Sequence, residues 1–183
     1  MMVFQPQLAP VTIKQLQEQA ALPENADRLF ELINGEIVEK MPGSTHNSTL
    51  AFNIGFEVQT HCRKNDLPCY ISTGDGAYRI NVDVVAPDFA YKTTPMAEEY
   101  PDPIAPLWAV EVISPNDKAA DIRKKRLIYI EAGILYWEMY PESQSIDVYV
   151  PNQRMKTVAA DSILDVGDLL PGFTLAAQSI WQK

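Results

Sequence analysis

The sequence predicts an α/β (α+β) fold: a mixed β-sheet with helices on both faces, preceded by an N-terminal β-hairpin. Three observations predict it. Asn34-Gly35 lies between two short runs, Phe30-Glu31-Leu32-Ile33 and Glu36-Ile37-Val38, and Asn-Gly takes the positive φ angles of a tight hairpin turn. Leu50, Ile54, Val58 and Cys62 recur every fourth residue, the apolar stripe of an amphipathic helix. Leu107-Trp108-Ala109-Val110-Glu111-Val112-Ile113 is apolar but for one residue, as suits a strand covered on both faces.

The elements follow in order. Val11 to Ala21 reads as a short helix ended by Pro23, and the first 25 or so residues as peripheral. After the hairpin, His46 to Asn65 is the striped helix, with Ser44 or Thr45 to cap it and Asn65-Asp66 to end it. Residues 69–73 and 77–82 read as strands broken by Gly74-Asp75-Gly76, and Asp88 to Tyr91 as another. The segment from Pro95 to Pro106 holds four prolines and is read as a loop free to move. After the apolar strand, Ser114-Pro115-Asn116-Asp117 has the composition of a helix start, and Gly133 is the natural stop. Residues 135–140 and 145–150 form two more strands, and the turn-rich tail from 161 is expected to be peripheral. The middle of the chain thus runs αβββαβ, which packs as helices on both faces of a mixed sheet.

A length of 183 residues with 46% hydrophobic content predicts one domain over residues 1–183, its core at about 28–150. No apolar run approaches the ~20 residues of a membrane helix, and Met1 to Pro6 shows no signal peptide. Cys62 and Cys69 are too few for a disulfide framework. The expected compartment is the cytoplasm, with no membrane partner. The net charge of −9 excludes a protein that coats nucleic acid by bulk electrostatics. It leaves room for a local basic patch, and Arg123-Lys124-Lys125-Arg126 is one. With only His46 and His61, a polyhistidine metal centre is excluded within one chain.

Some residues break their local pattern. Glu111 interrupts an apolar strand, where a carboxylate is costly to ionise without a cation or hydrogen bonds; a structural pairing with an arginine is the plain alternative. Asp88, after Pro87, projects from the start of its strand, or else serves its own turn. At about 100° per residue, Ile122, Ile128, Tyr129 and Ala132 share an arc of about 120°. Lys125 falls inside that arc, whereas Arg123, Lys124 and Arg126 fall outside. Lys125 therefore either faces the sheet or snorkels along the helix, with Asp121 within reach four residues earlier. Two carboxylates and a lysine converging on a sheet suit metal-dependent phosphodiester cleavage. Asp88 and Glu111 would hold Mg²⁺ (or Mn²⁺), which prefers oxygen ligands and activates water. Lys125 would offset charge at phosphorus or orient the water.

The same residues carry a resemblance. Phe30-Glu31-Leu32-Ile33-Asn34-Gly35-Glu36, His46, Pro87-Asp88-Phe89-Ala90, Val110-Glu111-Val112-Ile113-Ser114-Pro115, then Asp121, Lys125, Tyr129 and Gly133, and finally Tyr136-Trp137 occur in this order. They resemble the bacterial family named putative restriction endonucleases, within the PD-(D/E)xK nuclease-like superfamily, over about residues 28–150. The resemblance implies a restriction-endonuclease-like core. It implies that Lys125 replaces the lysine expected where Ile113 stands, the same lysine the helical wheel selects. It also implies that Glu36 completes the site, with a solvent-facing turn glutamate as the alternative. Where the family commonly has Glu and Asp around Tyr-Trp, this chain has Leu135 and Tyr140. His46 is assigned a supporting or structural role, and the two cysteines apolar positions.

The expected function is Mg²⁺-dependent endonuclease action on DNA, through Asp88, Glu111, Lys125 and Glu36. Two alternatives stand beside it. One is a non-catalytic nuclease-fold domain that binds nucleic acid or a partner protein; the other is a metal-dependent hydrolase of a different phosphorylated substrate. A homodimer is left open.

Overall fold

The computed structural model describes residues 9–181; the signal-peptide reading of Met1 to Pro6 lies outside them. Thr12 opens α1 (Ile13–Ala20) with a capping box: its hydroxyl accepts from the Gln15 N–H while the Gln15 side chain accepts from the Thr12 N–H. The helix packs on β1 (Leu29–Ile33), which Asn34-Gly35 joins to β2 (Glu36–Lys40). Both turn residues hold positive φ, 52° and 78°. Ser44 caps α2 (Thr45–Asn65), and Asp66 ends it with φ 53°. Then come β3 (Tyr70–Thr73), β4 (Tyr78–Ile80), β5 (Asp83–Val85), β6 (Phe89–Lys92) and β7 (Trp108–Val112). They are followed by α3 (Ala119–Glu131), β8 (Leu135–Tyr140), β9 (Ser145–Tyr149) and β10 (Lys156–Ala159). The chain closes with β11 (Ile163–Asp165), β12 (Thr174–Ala176) and α4 (Ala177–Trp181).

The main sheet has six strands in the order β10-β9-β8-β7-β6-β3. Only its β7–β8 pair is parallel, and α3 makes the crossover between them. The expected strand over 77–82 is divided into β4 and β5 by a turn at Asn81, whose φ is 56°, and the elements of the main sheet with its two helices run α2, β3, β6, β7, α3, β8. The strands β4 and β5 leave it to join the hairpin in a second sheet, β2-β1-β5-β4.

Alternation along β7 decides what each face meets. Trp108, Val110 and Val112 point into a cluster with Leu50, Ile54 and Val58 of α2. Ala109 points into a second cluster with Ile128 and Tyr129 of α3 and with Ile33, Tyr78 and Val85 of the smaller sheet. Helices therefore cover both faces, and the hairpin sheet shares the α3 face. On the α2 face the fully buried Trp108 and Trp137 meet edge-on at 4.6 Å, a geometry worth about 0.5–1.5 kcal/mol beyond the area buried.

Four expectations are corrected. Helix α3 begins at Ala119, not at Ser114, because the Asp117 carboxylate accepts from the Ser114 N–H (2.7 Å) while the Asp117 N–H donates to the Ser114 carbonyl (3.0 Å). These side chains close a turn of their own instead of capping a helix. The tail is not peripheral. Leu164, Leu170, Phe173, Leu175 and Ile180 belong to the α2-side core, but they arrive singly between turns and so show no periodicity. Nor is the N-terminal segment peripheral, since Leu16 is fully buried against the hairpin sheet. The proline-rich loop is pinned: the Asp102 carboxylate accepts from Lys92 Nζ (2.5 Å) and from the N–H groups of Ala97 and Ile104, and Lys92 is buried. Among the described residues no helix is long and apolar enough to cross a membrane.

Candidate active site

The β6–β7 register pairs Phe89 with Val110, and one more step places Asp88 opposite Glu111. The β7–β8 register pairs Glu111 with Glu138. Three carboxylates thus occupy neighbouring positions across three strands. Like charges so placed repel, and a cation meets each of them. Arg126 of α3 grips Glu138 through two bonds of 2.7 Å. Lys125, one residue earlier, places Nζ 2.8 Å from Glu111 Oε1 and 2.9 Å from Glu31 Oε1. Lys40, at the end of β2, places Nζ 2.9 Å from Asp88 Oδ1 and 2.5 Å from the Ala86 carbonyl.

Further hydrogen bonds fix the acids. Tyr129, one helical turn after Lys125, donates its O–H to Glu111 Oε1 at 2.9 Å. The Val112 N–H donates to Asp88 Oδ2 at 2.8 Å, which ties Asp88 to the strand that carries Glu111. The Ala86 N–H donates to Glu31 Oε1 at 2.7 Å. Asp88 is the accessible member, its side chain 25% exposed against 9% for Glu111 and 5% for Glu31.

A family model described as "Uma2: Putative restriction endonuclease" matches residues 16–178. The chain belongs to this family. Among solved structures it is similar to a crystal structure described as "a putative nuclease belonging to DUF820" from Anabaena variabilis ATCC 29413. The TM-score is 0.79 at 20% identity, over 94% of this chain and 98% of that chain. At that identity the likeness is one of fold, and it agrees with the nuclease-like architecture expected from the motifs. No curated protein matches.

The structure of this Uma2 chain brings Asp88, Glu111 and Lys125 together and leaves Glu36 apart. The Glu36 side chain is 69% exposed and pairs with Lys124 at 3.2 Å. Alternation explains this: Glu36, Val38 and Lys40 share one face of β2, but Glu36 lies next to the turn, at the end away from Asp88. The hairpin acid in the cluster is Glu31. Asp121 meets Lys124 (3.9 Å) and not Lys125. Arg126, outside the apolar arc, still reaches the sheet along the arc's edge. His46 is exposed in the first turn of α2. Glu31 and Glu138 carry the signal that singled out Glu111, a carboxylate within an apolar strand run; Lys40 carries none.

As a place for Mg²⁺ or Mn²⁺ the cluster fits in donor chemistry. Asp88 and Glu111 supply hard oxygens, and Mg²⁺ commonly takes one or two carboxylates and keeps several waters. Among the described residues no group of three or more His, Cys, Asp or Glu is arranged as a metal cage, so water would have to fill the remaining positions.

Burial pushes the Glu111 carboxyl up; the Lys125 charge opposes this and Asp88 adds to it. Burial alone would push Lys125 down, but Glu111 and Glu31 outweigh it and hold the ammonium above its ordinary 10.5. Burial, then the Glu111 charge, keeps the Tyr129 phenol neutral beyond its ordinary 10.0. In both groups the folded state holds the proton more tightly than the unfolded chain. Their contribution to stability is complete below about pH 10 and is lost as pH rises beyond it. Urea unfolding at pH 8–11 (approximate limits) should therefore show stability falling above about pH 10, with a shallower fall in Lys125→Met and Tyr129→Phe. Equal slopes in all three proteins would remove both groups from the linkage.

Proposed function

We propose that this protein is a Mg²⁺-dependent endonuclease that hydrolyses DNA phosphodiester bonds, with Mn²⁺ able to replace Mg²⁺. The observation that carries the reading is the juxtaposition of Asp88 and Glu111 on neighbouring strands with Lys125 Nζ on Glu111. Asp88 and Glu111 would hold the metal, which when bound polarises a phosphoryl oxygen and lowers the pKa of a bound water.

The chain's own groups have distinct tasks. Lys125 stays an ammonium at neutral pH, so it cannot take a proton from water. Two of its three N–H groups serve Glu111 and Glu31, and the third is left for a phosphoryl oxygen as charge develops. Tyr129 keeps Glu111 in place. Arg123 and the part-exposed Lys124 on α3 supply cations for the nucleic-acid backbone beside the acids. That local patch offsets the acidic surface elsewhere.

The net charge of −9 favours a second reading, a non-catalytic domain of the same fold. Supercoiled plasmid, linear duplex, single-stranded DNA and RNA, each with Mg²⁺, Mn²⁺ or EDTA, separate the two. Metal-dependent internal cleavage of DNA by the wild type, lost in Asp88→Asn, is expected. No cleavage of any substrate with either metal would leave the non-catalytic reading. Cleavage that survives Asp88→Asn would remove this site.

A further inference from the structure

We infer that Lys40 competes with a divalent metal for Asp88, so that it sets how tightly the protein binds metal. The inference rests on the metal reading above. Lys40 Nζ sits on a carboxylate oxygen and a backbone carbonyl, Asp88 Oδ1 and Ala86 O. These are hard oxygen donors of the kind Mg²⁺ and Mn²⁺ take. Each Asp88 oxygen accepts one hydrogen bond, Oδ2 from the Val112 N–H and Oδ1 from Lys40, and of the two donors only the Lys40 side chain can swing away to give a metal full access to its oxygen.

Charge points the same way. Glu31, Asp88 and Glu111 face two ammonium groups, Lys40 and Lys125. A divalent ion in place of Lys40 brings this group of charges to neutrality, whereas one added beside Lys40 leaves an excess positive charge within a few ångströms. Lys125 is the poorer candidate for release, being bound to two buried carboxylates. The Lys40–Asp88 pair is the part-exposed edge of the cluster, with side chains 18% and 25% accessible. Lys40 lies at the end of the edge strand of the smaller sheet, and its long flexible stem can carry the ammonium outward.

The test is calorimetric titration of Mn²⁺ and Mg²⁺, without nucleic acid, into wild type, Lys40→Met, Lys40→Arg, Asp88→Asn and Asp88→Asn/Lys40→Met. Lys40→Met should bind metal about tenfold more tightly, because the charged hydrogen bond no longer has to be broken. Lys40→Arg, which keeps the cation, should bind like the wild type. In the Asp88→Asn background the Lys40 substitution should change nothing. A ¹⁵N-lysine spectrum of the wild type gives a readout that needs no substitution: the Lys40 ammonium signal should shift as Mg²⁺ saturates the site. Equal or weaker affinity in Lys40→Met, or an unmoved Lys40 signal at saturation, overturns the competition while leaving the metal site in place. Absence of binding in every variant, Lys40→Met included, overturns both the metal site and this inference.

Discussion

Lys125→Met is expected to lower the free energy of unfolding by about 3–5 kcal/mol, the range for removing one partner of a buried charge pair. It should also cut cleavage per folded molecule by a factor on the order of 10²–10³. The stability effect follows from what the substitution leaves behind. Glu31 and Glu111 are 5% and 9% exposed and both take Lys125 through Oε1; without the ammonium two buried carboxylates lose the cation they share. Glu31 keeps only the Ala86 N–H among these partners, and Glu111 only the Tyr129 O–H. Differential denaturation separates the two effects. The double variant Lys125→Met/Glu31→Gln removes one of the stranded charges and should recover a substantial part of the lost stability but none of the lost cleavage. Lys124→Ala controls for basic charge, because its partners Glu36 and Asp121 are well exposed; it should move stability by less than about 0.5 kcal/mol. If Lys125→Met is as stable as the wild type, the buried triad does not exist as described. If the double variant regains cleavage along with stability, Lys125 acts only by holding the fold.

That substitution also marks how much was legible in the sequence. The wheel selected Lys125 because apolar neighbours at helical spacing define which way a residue points, and Glu111 stood out because a carboxylate inside an apolar run must find a partner. The αβββαβ order followed from the hairpin turn, the striped helix and the apolar strand, each a local signal. What the sequence did not show depends on contacts made across long separations. Glu31 and Glu36 lie five residues apart on one hairpin, and only the docking of that hairpin beneath α3 decides which of them meets Lys125. Lys40 closes on Asp88 from 48 residues away, with no periodicity to announce it. The tail failed for the opposite reason. Leu164 comes from a three-residue strand and Leu170 and Phe173 from the turns beyond it, and isolated apolar residues look the same whether they meet a core or water.

Glu111→Gln is expected to abolish metal-dependent cleavage while leaving the fold almost untouched. The amide oxygen of Gln can still accept from Tyr129 and Lys125, so the geometry around Oε1 is preserved. Removing the charge relieves the burial that pushes the Glu111 carboxyl up, and this offsets part of the lost attraction to Lys125. The melting temperature should therefore move little. Function should not survive, because a neutral amide loses the charge that would hold a divalent cation beside Asp88. The several kcal/mol of transition-state stabilisation that such a cation supplies correspond to a rate loss on the order of 10²–10³ or more. Mn²⁺ affinity should fall with it. Glu138→Gln is the companion experiment, since Glu138 lies next in the row, fully buried and held by Arg126 and the Tyr140 O–H. There the charge balances the guanidinium and is not offered to a ligand, so stability should fall while the folded fraction cleaves at the wild-type rate. Opposite outcomes in the two variants, cleavage kept in Glu111→Gln and lost in Glu138→Gln, would move the site one strand along the sheet. Cleavage kept in both would detach the activity from this row of carboxylates altogether.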